Sequence, residues 1–151
     1  MADILIKGAT LASGKIADVL IGGNRIAKVA SGISKSGCER IDASGKILLP
    51  GFVNAHAHSA TTLLRGLGDD MQLQQWLQMR IWPAEKKMKE EDVYAGAMLS
   101  IAQMVRGGTT CFNDMYFHMD AVGRACSKSG MRALLGYGMI DLGDEKKRKS
   151  E

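Results

Sequence analysis

Leu48-Leu49-Pro50-Gly51-Phe52-Val53-Asn54-Ala55-His56-Ala57-His58 is the stretch on which the reading of this 151-residue chain turns. Pro50-Gly51 interrupts whatever precedes it, because proline lacks an N–H and glycine favours turns. The short apolar run after it, residues 52–56, has the composition of a buried parallel strand. Side chains alternate between the two faces of a strand, so His56 and His58 project to the same side. At the strand's exit, two neutral imidazoles facing one way suit a borderline divalent ion such as Zn²⁺. The plainer account is a pair of polar residues at a strand end, hydrogen-bonded to backbone. An H-x-H pattern does not separate the two by itself. The cost of burying two unbridged imidazoles side by side favours the metal.

Upstream, residues 1–49 read as a small antiparallel β-layer. Ile4-Leu5-Ile6-Lys7 runs into Gly8, and Ala17-Asp18-Val19-Leu20-Ile21 leads into Gly22-Gly23-Asn24. Arg25-Ile26-Ala27-Lys28-Val29 then alternates with period two, so the Gly-Gly-Asn turn predicts a hairpin. A second hairpin is expected within residues 41–49, around Ser44-Gly45.

Downstream, the pattern changes to alternating strands and helices. A loop and then a helix are expected over residues 60–80, around Leu73, Trp76, Leu77 and Arg80. The clearest helix covers residues 90–106. Glu90, Glu91 and Asp92 complement its positive end, Val93, Ala97, Ile101, Met104 and Val105 mark one face, and Gly107-Gly108 stops it. A strand follows over 109–115, a short helix over 119–129 before Gly130, and another strand over 131–140. This β-α-β-α-β order predicts an α/β fold with a parallel sheet and right-handed crossovers. It matches about three of the eight βα units of a TIM-type barrel, which needs ~250 residues. A partial barrel over residues 50–151 is therefore expected, with His56 and His58 at the strand end where such barrels keep their active sites.

Composition excludes several classes. The chain is 46% hydrophobic and 24% charged, the balance of an ordinary globular protein. The net charge of +4 owes much to Lys146, Lys147, Arg148 and Lys149, and only 5% of residues are aromatic. That run reads as a solvated helix start or a frayed end, so no nucleic-acid partner is expected. No stretch approaches the ~20 apolar residues of a membrane helix, and the N-terminus carries no signal-peptide pattern, so no membrane partner is expected. Cys38, Cys111 and Cys126 form no C-x-x-C, which fits a reduced, cytoplasmic setting.

The run from Leu48 to His58 resembles the PGFVN-x-H-x-H strand of the amidohydrolase superfamily. Asp3-Ile4-Leu5-Ile6-Lys7 and Ile41-Asp42-Ala43-Ser44-Gly45-Lys46 look like the β-sandwich segment of that superfamily's composite domain. Within it, the chain is most similar to the branch of 5-methylthioadenosine/S-adenosylhomocysteine deaminases and related chlorohydrolases. The matching segments are Leu63-Leu64-Arg65-Gly66, Ile81-Trp82-Pro83-Ala84-Glu85, the run from Gly107 to Tyr116, and Gly138-Met139-Ile140-Asp141. The resemblance implies one divalent metal, most often Zn²⁺, with His56 and His58 as two ligands and a His and an Asp on later strands as the others. It implies attack of an activated water on C6 of an adenine ring, a Glu on a later strand shuttling protons, and release of ammonia. No residue of this chain matches those later positions, so no catalytic residue is assigned to it.

The resemblance also gives Glu85 a role as the acceptor for the ribose hydroxyls, a task for which a carboxylate is well suited. Otherwise Glu85 would be a surface residue starting Glu85-Lys86-Lys87. Arg148 aligns, across a gap, with an arginine that contacts the 5′ end of substrate in some relatives, while Tyr137 stands where others carry a second arginine. His118 is expected in a loop as a pocket-wall or structural residue, Asn113 and Asp114 as pocket lining or turn residues, and Trp76 and Trp82 mainly as core. The expected substrate is an adenosine-type nucleoside: 5-methylthioadenosine, S-adenosylhomocysteine, 5′-deoxyadenosine or adenosine. The full-length protein is expected to form a homo-oligomer, and the chain alone to be an inactive fragment. Two alternatives stand beside this one: a triazine chlorohydrolase or guanine/cytosine deaminase, which has no ribose for Glu85 to bind, and a non-catalytic truncated chain.

Overall fold

The computed structural model describes residues 3–139, so Arg148, the basic run at 146–149 and the expected strand end at Ile140 lie outside the described residues. The chain divides into two compact units, Met1–Pro50 and Gly51–Glu151.

The first unit is a five-stranded sheet of β1 (Ile4–Leu11), β2 (Ile16–Gly22), β3 (Arg25–Ala30), β4 (Glu39–Asp42) and β5 (Ile47–Leu48). The order is β3-β2-β1-β4, with β5 also on β1. The hairpin through Gly22-Gly23-Asn24 forms as the turn residues require, pairing β2 with β3 antiparallel. The layer is not wholly antiparallel, however, and the hairpin expected at 41–49 does not form. Instead β4 and β5 both run parallel to β1, one after the other along the same edge. Asp42 explains the difference, since its Oδ1 accepts both the N–H (2.9 Å) and the hydroxyl (2.6 Å) of Ser44. This local turn loops residues 43–46 out and returns the chain in its original direction, where the Thr10 N–H takes the Lys46 carbonyl at 2.9 Å. Gly8 accommodates the loop on the β1 side: it sits at φ +68°, and a Cβ there would lie 3.1 Å from Ser44 Oγ.

Leu5, Ala9, Val19 and Ile33 are buried in this unit, and so is Asp18, at 5% exposure. Its carboxylate accepts from Lys7 Nζ (2.6 Å), the Gly8 N–H (2.9 Å) and the Ile33 N–H (2.9 Å). The Lys7 hydrogen bond, then that of Gly8, hold the Asp18 pKa at about 2, below the usual 3.8.

In the second unit, β6 (Phe52–Ala57), β7 (Thr109–Tyr116) and β8 (Arg132–Tyr137) form a parallel sheet in the order β6-β7-β8. The expected α/β alternation is present. A 3-10 turn (Ser59–Leu64) follows β6. After it comes a helical run of α1 (Leu73–Trp76), a π-helical turn (Leu77–Ile81) and α2 (Trp82–Glu85). The long crossover helix α3 (Glu90–Arg106) leads to β7, and α4 (Met119–Ser129) joins β7 to β8. Among the described residues, no helix is long and apolar enough to cross a membrane.

Helix α3 begins where the acidic triplet predicts, with the Lys89 N–H donating to Asp92 Oδ2 at 2.8 Å. Val93, Ala97 and Ile101 are buried, but Val105 is 59% exposed. Each i to i+4 step drifts by about 40° around a 3.6-residue helix, so Val105 has turned away from the face that Met104 still joins. Helix α4 ends at Gly130 in the left-handed conformation (φ +75°), whose N–H takes the Cys126 carbonyl at 2.8 Å. Phe112, Tyr116, Val122 and Ala125 complete the core between sheet and helices.

Two outcomes follow. Asp18 stabilises the fold above the ordinary carboxylate pKa, and that contribution disappears as pH falls through about 2. Wild type should therefore lose urea resistance between about pH 4 and 2, whereas Asp18→Asn should be weaker at pH 7 and fall less steeply across that window. Gly96 lies so close to the 3-10 turn that an added Cβ would sit 2.5 Å from the Ala60 carbonyl oxygen. Gly96→Ala gains about 1 kcal/mol of helix propensity but forces α3 off the turn at about 1–3 kcal/mol, so chemical denaturation should show a net loss of stability.

Candidate metal and substrate site

The site assembles at the C-terminal ends of β6 and β7. Ala57 packs into the core, so His56 and His58 on either side of it face the opposite way. Their rings stand edge to face with centroids 5.0 Å apart. The ladder between β6 and β7 breaks between Asn54 and Ala57, which frees the strand end to bulge. Two asparagines occupy the break: Asn113 Nδ2 donates to the Ala55 carbonyl at 3.2 Å, and Asn54 Oδ1 accepts the His56 N–H at 3.3 Å. Asn113 thus spends its amide on the strand.

His58 is tied across the sheet. Its Nδ1 lies 2.7 Å from the carbonyl oxygen of Met115. A carbonyl can only accept, so Nδ1 carries a proton, and in the neutral ring Nε2 is the nitrogen with the lone pair. That is the tautomer a metal-binding imidazole needs. Imidazole nitrogens are donors of the type Zn²⁺ takes. Among the described residues no group of three or more His, Cys, Asp or Glu could hold a metal ion, so His118 does not join the pair. His118 instead begins α4 in the left-handed conformation, at φ +52°.

Glu85, at the end of α2, is brought to the same end of the sheet by a residue the sequence reading passed over. The Tyr116 hydroxyl donates to Glu85 Oε1 at 2.7 Å, and the Tyr116 ring lies 6.3 Å from that of His58. Tyr116 is 5% exposed. Burial first, then the Glu85 carboxylate, push its pKa above the ordinary tyrosine value, so it remains a hydroxyl donor throughout the physiological range. The remaining oxygen, Oε2, makes no hydrogen bond among the described residues and is available to a ligand.

Two further residues were legible only as pocket or turn candidates, or not at all. Asp114 is 1% exposed and Ser59 is 2% exposed. Asp114 accepts the Ser59 N–H at 3.2 Å on each carboxylate oxygen, together with the Ser59 hydroxyl. The available signal was the period-two pattern Phe112, Asp114, Tyr116, which places both polar side chains on the buried face. Trp76 is half-buried, and its Nε1–H holds the Leu67 carbonyl at 2.7 Å. Trp82 is 36% exposed. Burial raises the pKa of the Cys126 thiol and keeps it unreactive.

The chain is 51% identical over 135 residues to a 5-methylthioadenosine/S-adenosylhomocysteine deaminase of Thermococcus sibiricus, covering 89% of this chain and 32% of the relative. It is 51% identical over 151 residues to a 5′-deoxyadenosine deaminase of Methanosphaera stadtmanae, covering 98% and 36%. The chain thus spans about a third of the length of these relatives. Among solved structures, an adenosine deaminase from Xanthomonas campestris with bound zinc superposes with a TM-score of 0.81 at 34% identity, over 88% of this chain and 33% of that one. An atrazine chlorohydrolase from Arthrobacter aurescens complexed with zinc gives a TM-score of 0.81 at 25% identity, over 93% and 36%. The amidohydrolase family model matches residues 47–151, two thirds of the sequence and the whole of the sheet that carries the histidine pair, and the chain belongs to that family.

Proposed function

We propose that this chain supplies the first part of a metal-dependent deaminase of adenosine-type nucleosides. In this reading, residues 50–151 are about three βα units of a TIM-type barrel, and residues 1–49 belong to an accompanying β-sandwich. His56 and His58 hold a divalent ion, Zn²⁺ by the chemistry of two neutral imidazoles and by the zinc in the similar structures. Such an ion acts as a Lewis acid and lowers the pKa of a water ligand toward ~7. Glu85 binds the sugar, its Oε1 held by Tyr116 and its Oε2 free to accept from a ribose hydroxyl.

One observation carries the reading. Tyr116 holds the sugar-binding candidate at the end of β7, beside the β6 end that bears the histidine pair, within a sequence half identical to nucleoside deaminases. The four substrates weighed are 5-methylthioadenosine, S-adenosylhomocysteine, 5′-deoxyadenosine and adenosine. All share the adenine C6 amino group and the ribose diol, so Glu85 serves each equally and leaves the choice of 5′ group to other residues. Arg148 remains a proposal for that choice. The fold match to a triazine chlorohydrolase supports a second reading, in which Glu85 has no diol to bind.

The test is ammonia release from the four nucleosides and from a chlorotriazine, with Zn²⁺ or Mn²⁺ present, by a protein carrying this chain with the rest of the barrel. Nucleosides should react and the triazine should not; the reverse result selects the second reading. His56→Ala should lower kcat/KM by at least about a hundredfold. The 151 residues alone should release no ammonia above that variant. Tyr116→Phe should raise KM for ribonucleosides several-fold with little change in kcat, through a net loss of about 1 kcal/mol. It should not affect a 2′,3′-dideoxy substrate.

A further inference from the structure

The two histidines are not held alike. His56 is exposed, and its N–H donates to Asn54 Oδ1 at 3.3 Å. His58 is restrained at three points. Its carbonyl accepts from the Thr61 N–H at 2.9 Å and from Thr61 Oγ1 at 2.7 Å. Its ring is held by the Met115 carbonyl. The residue that follows it, Ser59, gives both its N–H and its hydroxyl to Asp114.

Asp114 is the unexpected member. A carboxylate buried to 1% exposure is costly unless its acceptor capacity is used, and among the described residues every hydrogen bond it accepts comes from Ser59. The Cys126 thiol and the Tyr116 hydroxyl are titratable groups near it, and both residues are buried. Asp114 touches neither histidine, and the reading above gives it no task. Its effect is on the backbone: Ser59 is fixed against β7 one residue beyond His58, while Met115, one residue beyond Asp114, supplies the carbonyl for the His58 ring. Adjacent residues of β7 therefore grip adjacent residues of the β6 exit.

We propose that Asp114 is a positioning residue that acts through Ser59 to hold His58 as the preformed member of the pair, with Nε2 directed outward and His56 left to adjust. The inference deepens the reading above and rests on His58 being a metal donor. Its structural content, a carboxylate that controls the state of a histidine it does not touch, can be measured without metal or substrate.

The experiment is long-range ¹⁵N–¹H NMR on the metal-free 151-residue chain, with His56, His58 and His118 assigned by substitution. In wild type, neutral His58 should be almost wholly the Nδ1–H tautomer. Asp114→Asn keeps the shape but accepts fewer hydrogen bonds; His58 should then move toward the Nε2–H tautomer that free imidazole favours, while His118 stays unchanged. Ser59→Ala keeps the N–H and loses the hydroxyl, and should shift His58 the same way by less. If Asp114→Asn does not fold, Ser59→Ala decides alone. The proposal is overturned if folded variants leave His58 wholly Nδ1–H, or if wild-type His58 is the other tautomer. Zn²⁺ added to a protein carrying this chain with the rest of the barrel separates the two ideas: no response from the His56 and His58 rings there removes the metal reading and leaves the tautomer result standing.

Discussion

The second unit depends on strand β7 being paired on both sides. A strand with a parallel neighbour on each edge has its backbone committed, so function is left to the side chains and to its last carbonyls. Period-two alternation then divides the work. Phe112, Asp114 and Tyr116 point toward the helices, while Asn113 and Met115 stay exposed on the other face. Phe112 is pure packing. Asp114 and Tyr116 are polar residues in buried positions, and each meets its hydrogen-bonding need by reaching a different segment, Ser59 after β6 and Glu85 after α2. The requirement that buried polar groups be satisfied is what draws these distant segments to one end of the sheet.

The two units use buried carboxylates differently. Asp18 gathers Lys7 and Gly8 of β1 and the distant Ile33, and its charge is balanced by an ammonium at 2.6 Å. That arrangement is a structural clasp within a β-layer. Asp114 has no cation partner among the described residues and spends its acceptors on Ser59 alone. It therefore sets the position of one short stretch of chain, the stretch that carries His58.

Much of the architecture was readable because local signals agreed with one another. Helix α3 starts at an acidic triplet and stops at a glycine pair; helix α4 ends at Gly130; the Gly22-Gly23-Asn24 turn admits positive φ, which Gly23 adopts at +60°. Where reading failed, a competing interaction was at work. At residues 41–49 the Asp42 side chain made a loop-out of what looked like a hairpin, and the edge of β1 took both strands in parallel. At Val105 the angular drift of the helix carried an apolar residue off its face.

His56, His58 and Glu85 were marked by the sequence itself, because a strand's alternation and a family's motif are both properties of order along the chain. That order also determined the alternation of strands and helices and the ends of the longer helices. Only the tertiary structure decided that Tyr116 ties Glu85 to β7 beside the histidine strand, that Met115 selects the tautomer of His58, and that Asp114 holds Ser59. Each of these bonds joins residues tens of positions apart. Their donors and acceptors meet only once β6 and β7 lie side by side in register, and no local pattern records that register.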